Sequence, residues 1–269
     1  MADTPVLATR GLSKRFGGIV ALEDVNFSVQ QGSIKALIGP NGAGKTTVFH
    51  IVTGLYLPTD GRILFEGHRV DRLPPHVVAK RGISRTFQNV QIFGHMSVLE
   101  NVMVGCHIQT KGGMVDSILR TRRARRNENW ARKQAWEKLE FVGLAARAED
   151  VAMELTFHEQ RLIEFARALA TRPKLLLLDE PASGLNAREA REMAQLIRRI
   201  REQGITVLLV EHVMDLVMEI SDEVAVLNSG VIIADGTPRQ VQRDQRVIAA
   251  YLGQELSGAE DTESQELLR

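Results

Sequence analysis

Residues Gly39-Pro40-Asn41-Gly42-Ala43-Gly44-Lys45-Thr46 follow the apolar run "IKALI" and lead into "TVFHIVTG". A Gly-x4-Gly-Lys-Thr spacing between a strand and a helix is built for one kind of chemistry. Glycines let successive backbone N–H groups turn inward around phosphate oxygens, and the helix N-terminus adds a positive field. In such a loop Lys45 would reach the β- and γ-phosphates and the Thr46 hydroxyl would bind Mg²⁺. Thr47 completes the candidate nucleotide-contacting set. A second group stands at 174–181, "KLLLLDEP". Four leucines suit a strand buried on both faces, and this one ends in two carboxylates. Asp179 would hold Mg²⁺ through its water shell, and Glu180 would polarise an attacking water as general base. An acid pair at a strand end can be purely structural. Combined with the phosphate loop, it is a strong signal of chemistry at a phosphate group.

These groups need a scaffold, and the pattern around them supplies one. Short β-type runs, "VLATRGL", "VNFSV" and "SIKALIG", are separated by Gly17-Gly18 and Gln31-Gly32. "RILFEG" predicts a strand, and Pro74-Pro75 opens a short helix closed by Gly82. From about 95 to 155 the pattern is helical. It then alternates: helix 187–203, strand "ITVLLV", helix 212–220, and strands "EVAVLN" and "GVIIADG". Strands alternating with helices predict an α/β fold with a mostly parallel sheet covered on both faces. The stretch 95–155 reads as a helical lobe inserted into one domain spanning 6–253. An acidic tail at 254–269 is expected to be disordered beyond Leu256.

Composition narrows the function classes. The 269 residues carry a net charge of +1, which gives no reason to expect nucleic acid as the main partner. The single cysteine, Cys106, excludes an intramolecular disulfide and a Cys-based zinc site, so a reducing cytosol is expected. The stretch "MADTPVLATRG" lacks a basic segment followed by an apolar one and is not expected to be a signal peptide, and no apolar run approaches the ~20 residues of a spanning helix. Any membrane connection would therefore come through a partner. Residues 111–138 hold nine Lys or Arg against three acids, including "RTRRARR" at 120–126. They suit either a solvated helix face or an electrostatic contact with an acidic partner or anionic lipid.

The order of motifs then becomes specific: "RFGG", the phosphate loop, "RTFQ", the helical insert, "LLLLDEP", "SGLN" and "LLVEH". Over nearly its whole length the chain resembles the ATP-binding-cassette (ABC) ATPases. The resemblance implies the P-loop NTPase fold of that family, with an N-terminal antiparallel β subdomain and an inserted helical lobe. It assigns Phe16 to stacking on adenine, although an ordinary core phenylalanine fits the sequence too. Gln88 would contact Mg²⁺ and the attacking water, and His212 would hydrogen-bond the γ-phosphate. Asn186 in Ser183-Gly-Leu-Asn186 departs from the family's usual aspartate but keeps a short polar side chain.

Three stretches are similar to the ATPase subunits of branched-chain amino acid importers: "GLSKRFGGIVALEDVNFSV", "RTFQNVQIFGHMSVLENVMVG" and "GVIIADGTPRQV" with its "VIAAYLG" ending. That resemblance implies a cytoplasmic-face subunit of the inner membrane, attached to transmembrane permease subunits and served indirectly by a solute-binding protein. Lipopolysaccharide-export and urea-importer ATPases share much of the pattern. A regulatory ABC subunit with little hydrolysis is a further alternative, which the presence of Glu180 and His212 disfavours. An ABC ATPase acting on ribosomes or DNA is another, disfavoured by the single phosphate loop.

One motif departs from the family. Where its signature usually reads L-S-G-G-Q, this chain has Leu155-Thr156-Phe157-His158-Glu159. Thr156 keeps the hydroxyl, and Thr156 and His158 remain candidate contacts to a nucleotide on a partner subunit. Thr156-x-x-Glu159 is also a capping box, which starts a helix without any phosphate. The sequence leaves both open. Because a signature serves the nucleotide bound by the partner, an altered one favours pairing with a different ATPase over a homodimer.

Overall fold

The computed structural model describes residues 5–109 and 122–251. The expected tail beyond 253, and Arg120 and Thr121 of "RTRRARR", lie outside those residues. The chain divides into two compact units. One comprises residues up to 73 together with those from 200 onward, and the other spans 74–199.

In the first unit, β1 (Leu7–Phe16) and β2 (Ile19–Val29) form an antiparallel hairpin. With β4 (Asp60–Phe65) and β5 (His68–Arg69) they make a four-stranded sheet in the order β2-β1-β4-β5. Exposed and buried positions mix along β1, and its ladder to β2 shifts register at several points. The sequence accordingly shows short pieces where the structure has two long strands. The same unit holds β3 (Ile34–Ile38), β8 (Thr206–Val210), β9 (Glu223–Asn228) and β10 (Val231–Gly236). β3 pairs in parallel with both β8 and β9, and β10 closes antiparallel on β9. Every residue of β3 and β8 is buried, the continuous apolar run expected of a strand covered on both faces. Each fully buried Leu, Ile or Val there contributes roughly 1.5–3 kcal/mol. Lys35 is the exception inside β3. Its ammonium is 2% exposed and is matched by Asp235 at 2.6 Å and Glu223 at 3.2 Å.

In the second unit, β6 (Ile83–Arg85) and the fully buried β7 (Leu175–Asp179) pair in parallel. The short helix α2 (Pro75–Arg81) ends at Gly82 in a left-handed cap, as the sequence predicts. The stretch expected to be helical from 95 to 155 is broken into pieces. α3 (Val98–Cys106) starts on a Ser97–Glu100 capping box, and α4 (Arg122–Val142) is a separate helix. Short 3-10 turns follow at 145–147 and 152–154. α5 (Phe157–Ala170) packs against α3 and α4, and α6 (Ala187–Glu202) follows β7. No helix among the described residues is long and apolar enough to cross a membrane.

Candidate functional site

The phosphate-type loop joins β3 to α1 (Lys45–Val52), whose face of Val48, Phe49, Ile51 and Val52 is buried. Pro40 and Ala43 are buried and anchor the loop, whereas Asn41, Gly42 and Thr46 are exposed. Two glycines are dictated by packing. A Cβ on Gly39 would lie 1.9 Å from the Leu227 carbonyl oxygen, and one on Gly44 would lie 2.7 Å from that of Ala21. Both also hold positive φ angles, 152° and 106°, which side chains resist. Lys45 folds its ammonium back onto the loop, donating to the carbonyls of Gly39 at 2.7 Å and Pro40 at 2.8 Å. The first turn of α1 carries no acidic residue and no side-chain cap, so the helix field there stays positive.

The same unit carries His212 and Phe16. His212 is more than half exposed and follows β8. The sequence predicts a helix from 212, but α7 (Met214–Ile220) starts two residues later. The reason is Glu211, whose buried carboxylate accepts the backbone N–H of His212 at 2.7 Å and of Val213 at 3.2 Å. It holds that segment out of the helix. Phe16 is 41% exposed, so it is not a core phenylalanine. Tyr56 packs edge-on against its ring at 5.4 Å, and the Lys14 ammonium lies 4.8 Å from its centroid. Sequence reasoning passed over Glu211 and Tyr56. An acid ending the apolar run "ITVLLV" was a usable signal for Glu211, and nothing local marks Tyr56.

In the other unit, Gln88, Asp179 and Glu180 come together at the end of β7. Asp179 is buried and paired with Arg85 at 2.6 Å, the two carried by neighbouring strands. Glu180 turns into the left-handed region at φ 47°, a conformation that costs a non-glycine residue about 1–3 kcal/mol. Its carboxylate accepts a hydrogen bond from the Gln88 side-chain amide at 2.9 Å. Arg85 lies within "RTFQ", a motif that by itself assigns it no role. Its role depends on the β6–β7 pairing, which no local pattern reveals.

The altered motif takes the capping form. The Thr156 hydroxyl accepts the backbone N–H of Glu159 at 3.3 Å, and the Glu159 carboxylate accepts the Thr156 N–H at 2.9 Å. Arg147 donates to the same carboxylate at 3.0 Å, so the acid has a local counter-charge. His158 is 14% exposed, with Nε2 3.5 Å from Glu192 and a buried Nδ1 that makes no hydrogen bond. Asn186 caps α6 by accepting the N–H groups of Arg188 and Glu189, both at 3.0 Å. A short polar acceptor is what that position needs, and Asn supplies it as Asp would.

The Thr46 hydroxyl in one unit, and the Gln88 amide and Asp179 carboxylate in the other, are hard oxygen donors of the kind Mg²⁺ prefers. No group of three or more His, Cys, Asp or Glu among the described residues could hold a metal ion. A magnesium site of this type instead combines one or two protein oxygens with the phosphates of its substrate.

Known proteins similar to this chain agree with one another. The family model described as "ABC transporter" matches residues 22–183, and "Branched-chain amino acid ATP-binding cassette transporter" matches residues 231–256. The chain is 45% identical over 251 residues to the high-affinity branched-chain amino acid transport ATP-binding protein BraF of Pseudomonas aeruginosa. That match covers 93% of this chain and 98% of BraF. The corresponding protein LivG of Escherichia coli K12 matches with the same identity and coverage. Among solved structures, a nucleotide-free ATP-binding cassette from an ABC transporter superposes with a TM-score of 0.81 at 32% identity. It covers 92% of this chain and 99% of that one. The ADP conformation of MJ1267, an ATP-binding cassette of an ABC transporter, gives 0.80 at 32% identity, covering 93% and 99%. Motif order, fold and relatives converge: the chain belongs to the ABC transporter family, as an ATP-binding cassette.

Proposed function

We propose that this chain hydrolyses ATP to power a branched-chain amino acid importer, working from the cytoplasmic face of the membrane on transmembrane permease subunits. The observation that carries the hydrolytic part is Glu180, strained into a left-handed turn and held by Gln88. A carboxylate fixed in that way can orient a water and take its proton during in-line attack on the γ-phosphate. Lys45 leaves the Gly39 and Pro40 carbonyls to meet the β- and γ-phosphates, and the loop amides surround them. His212, its backbone pinned by Glu211, adds a donor to the γ-phosphate. Phe16, steadied by Tyr56, offers a face to the adenine. Thr46, Gln88 and Asp179 are the residues that would hold Mg²⁺, whose charge would offset that of the phosphates.

The substrate class rests on the match at 231–256 and on the relatives named for branched-chain amino acid transport. The self-capped motif at 155–159 supports a partner ATPase that differs from this chain, with the nucleotide facing Thr156 and His158 turning over slowly. A solute-binding protein would deliver substrate on the far side of the membrane. Purification of the tagged chain from native membranes tests the whole assignment. Integral-membrane proteins and a second ATPase should co-purify, and the complex should take up leucine in an ATP-dependent way when placed in vesicles. Recovery on ribosomes or DNA would overturn it.

A further inference from the structure

Gln88 can hold Glu180 only if its own backbone is fixed, yet it lies in an irregular segment between β6 and α3. Three side chains one turn apart on a single face of α5 grip that segment on both sides of Gln88. Arg161, 1% exposed, donates from Nη1 to the Phe87 carbonyl at 2.9 Å. Glu164, 2% exposed, accepts the Gln91 N–H at 2.8 Å, and Arg167 donates to the Gln91 carbonyl. The three are also linked through charge, Glu164 lying 3.7 Å from Arg161 and 3.6 Å from Arg167. Arg161 reaches further: Nη2 is 3.5 Å from the Ser183 carbonyl, three residues beyond Glu180, and its guanidinium sits 5.3 Å from the Phe157 ring centroid.

Burial of charged groups at this density is costly, and burial raises the Glu164 pKa even with both arginines beside it. A core that needed only packing would be served as well by apolar side chains. What arginine adds here is a fork of donors that meets one carbonyl before Gln88 and another after Glu180. We infer that Arg161, braced by Glu164 and Arg167, is a positioning residue that sets where Gln88 meets Glu180 and ties both to the first turn of α5. This rests on the hydrolytic role proposed above for Glu180 and Gln88.

The test is a double-mutant cycle in the membrane complex, using Arg161→Met and Gln88→Ala singly and together. A misplacement of about 1 Å at a reacting centre can cost a hundredfold. Arg161→Met should therefore lower the kcat for ATP about 10–100-fold with little change in KM. Arg161→Lys, with fewer directed donors, should fall between it and the parent. Because Arg161 acts through Gln88, the double variant should be no slower than the worse single variant. Multiplying losses would overturn the inference and leave the role of Gln88 intact, whereas a Gln88→Ala complex with full kcat would overturn both. Arg161→Met leaves Glu164 without one of its arginines, so Arg161→Met/Glu164→Gln is the control for folding. It should recover thermal stability without recovering kcat. Recovery of kcat along with stability would reduce Arg161 to a structural residue and overturn the inference.

Discussion

The phosphate loop and the altered motif before α5 both stand at the start of a helix, where unpaired backbone N–H groups and the helix field favour an anion. They use that resource in opposite ways. At 39–47 there is no side-chain cap and no acid in the first turn, and neighbouring backbone leaves no room for a side chain on Gly39 or Gly44. At 156–159 the chain's own oxygen atoms accept the N–H groups of the helix start. Thr156 and Glu159 satisfy one another's N–H groups, and Arg147 balances the added charge. One helix start is open to a ligand, and the other is occupied by its own side chains. In two units of one chain, the same physics thus yields a ligand site and a self-contained cap.

Three substitutions would break or sharpen this contrast. The largest effect belongs to Gly39→Ala, whose methyl would meet the Leu227 carbonyl at 1.9 Å in a backbone conformation unsuited to alanine. Strain and overpacking together should cost about 3 kcal/mol, read as a lower midpoint in denaturant, and ATP binding should be lost. A fully stable, nucleotide-binding variant would show that the loop is not held as described. Next comes His158→Gly, which removes the imidazole standing where the usual signature has its second glycine. Turnover of the assembled complex should rise about three- to tenfold, a change of roughly 1 kcal/mol in the barrier. Unchanged turnover would mean that the motif already serves its nucleotide. An effect of similar size is expected of Thr156→Ala, which deletes the cap and should destabilise the chain by about 1 kcal/mol in the same denaturation assay. No loss there would deny the cap its structural role.

The positions of most candidate residues were legible because their signals are local. "IKALI" and "LLLL" announce buried strands by continuous apolarity, and each has its candidate residues at the strand end. The capping box was also legible, since a Thr-x-x-Glu spacing carries its own geometry. What remained hidden depends on partners distant in sequence. Arg85 meets Asp179 across a strand pair, Arg161 meets Phe87 from a helix more than seventy residues away, and Tyr56 meets Phe16 from beyond α1. The late start of α7 was missed for a related reason. Glu211 reads as the end of an apolar strand, and only its burial turns it into an acceptor for the next two backbone N–H groups.

The central proposal is that Glu180 serves as the general base when this chain hydrolyses ATP. Single-turnover cleavage of ATP by the membrane complex carrying Glu180→Gln tests it most directly, with nucleotide binding measured on the same sample. Binding should stay within about twofold of the parent while cleavage slows by about a hundredfold or more, the usual worth of a positioned general base. Cleavage at the parent rate with binding intact would contradict the account.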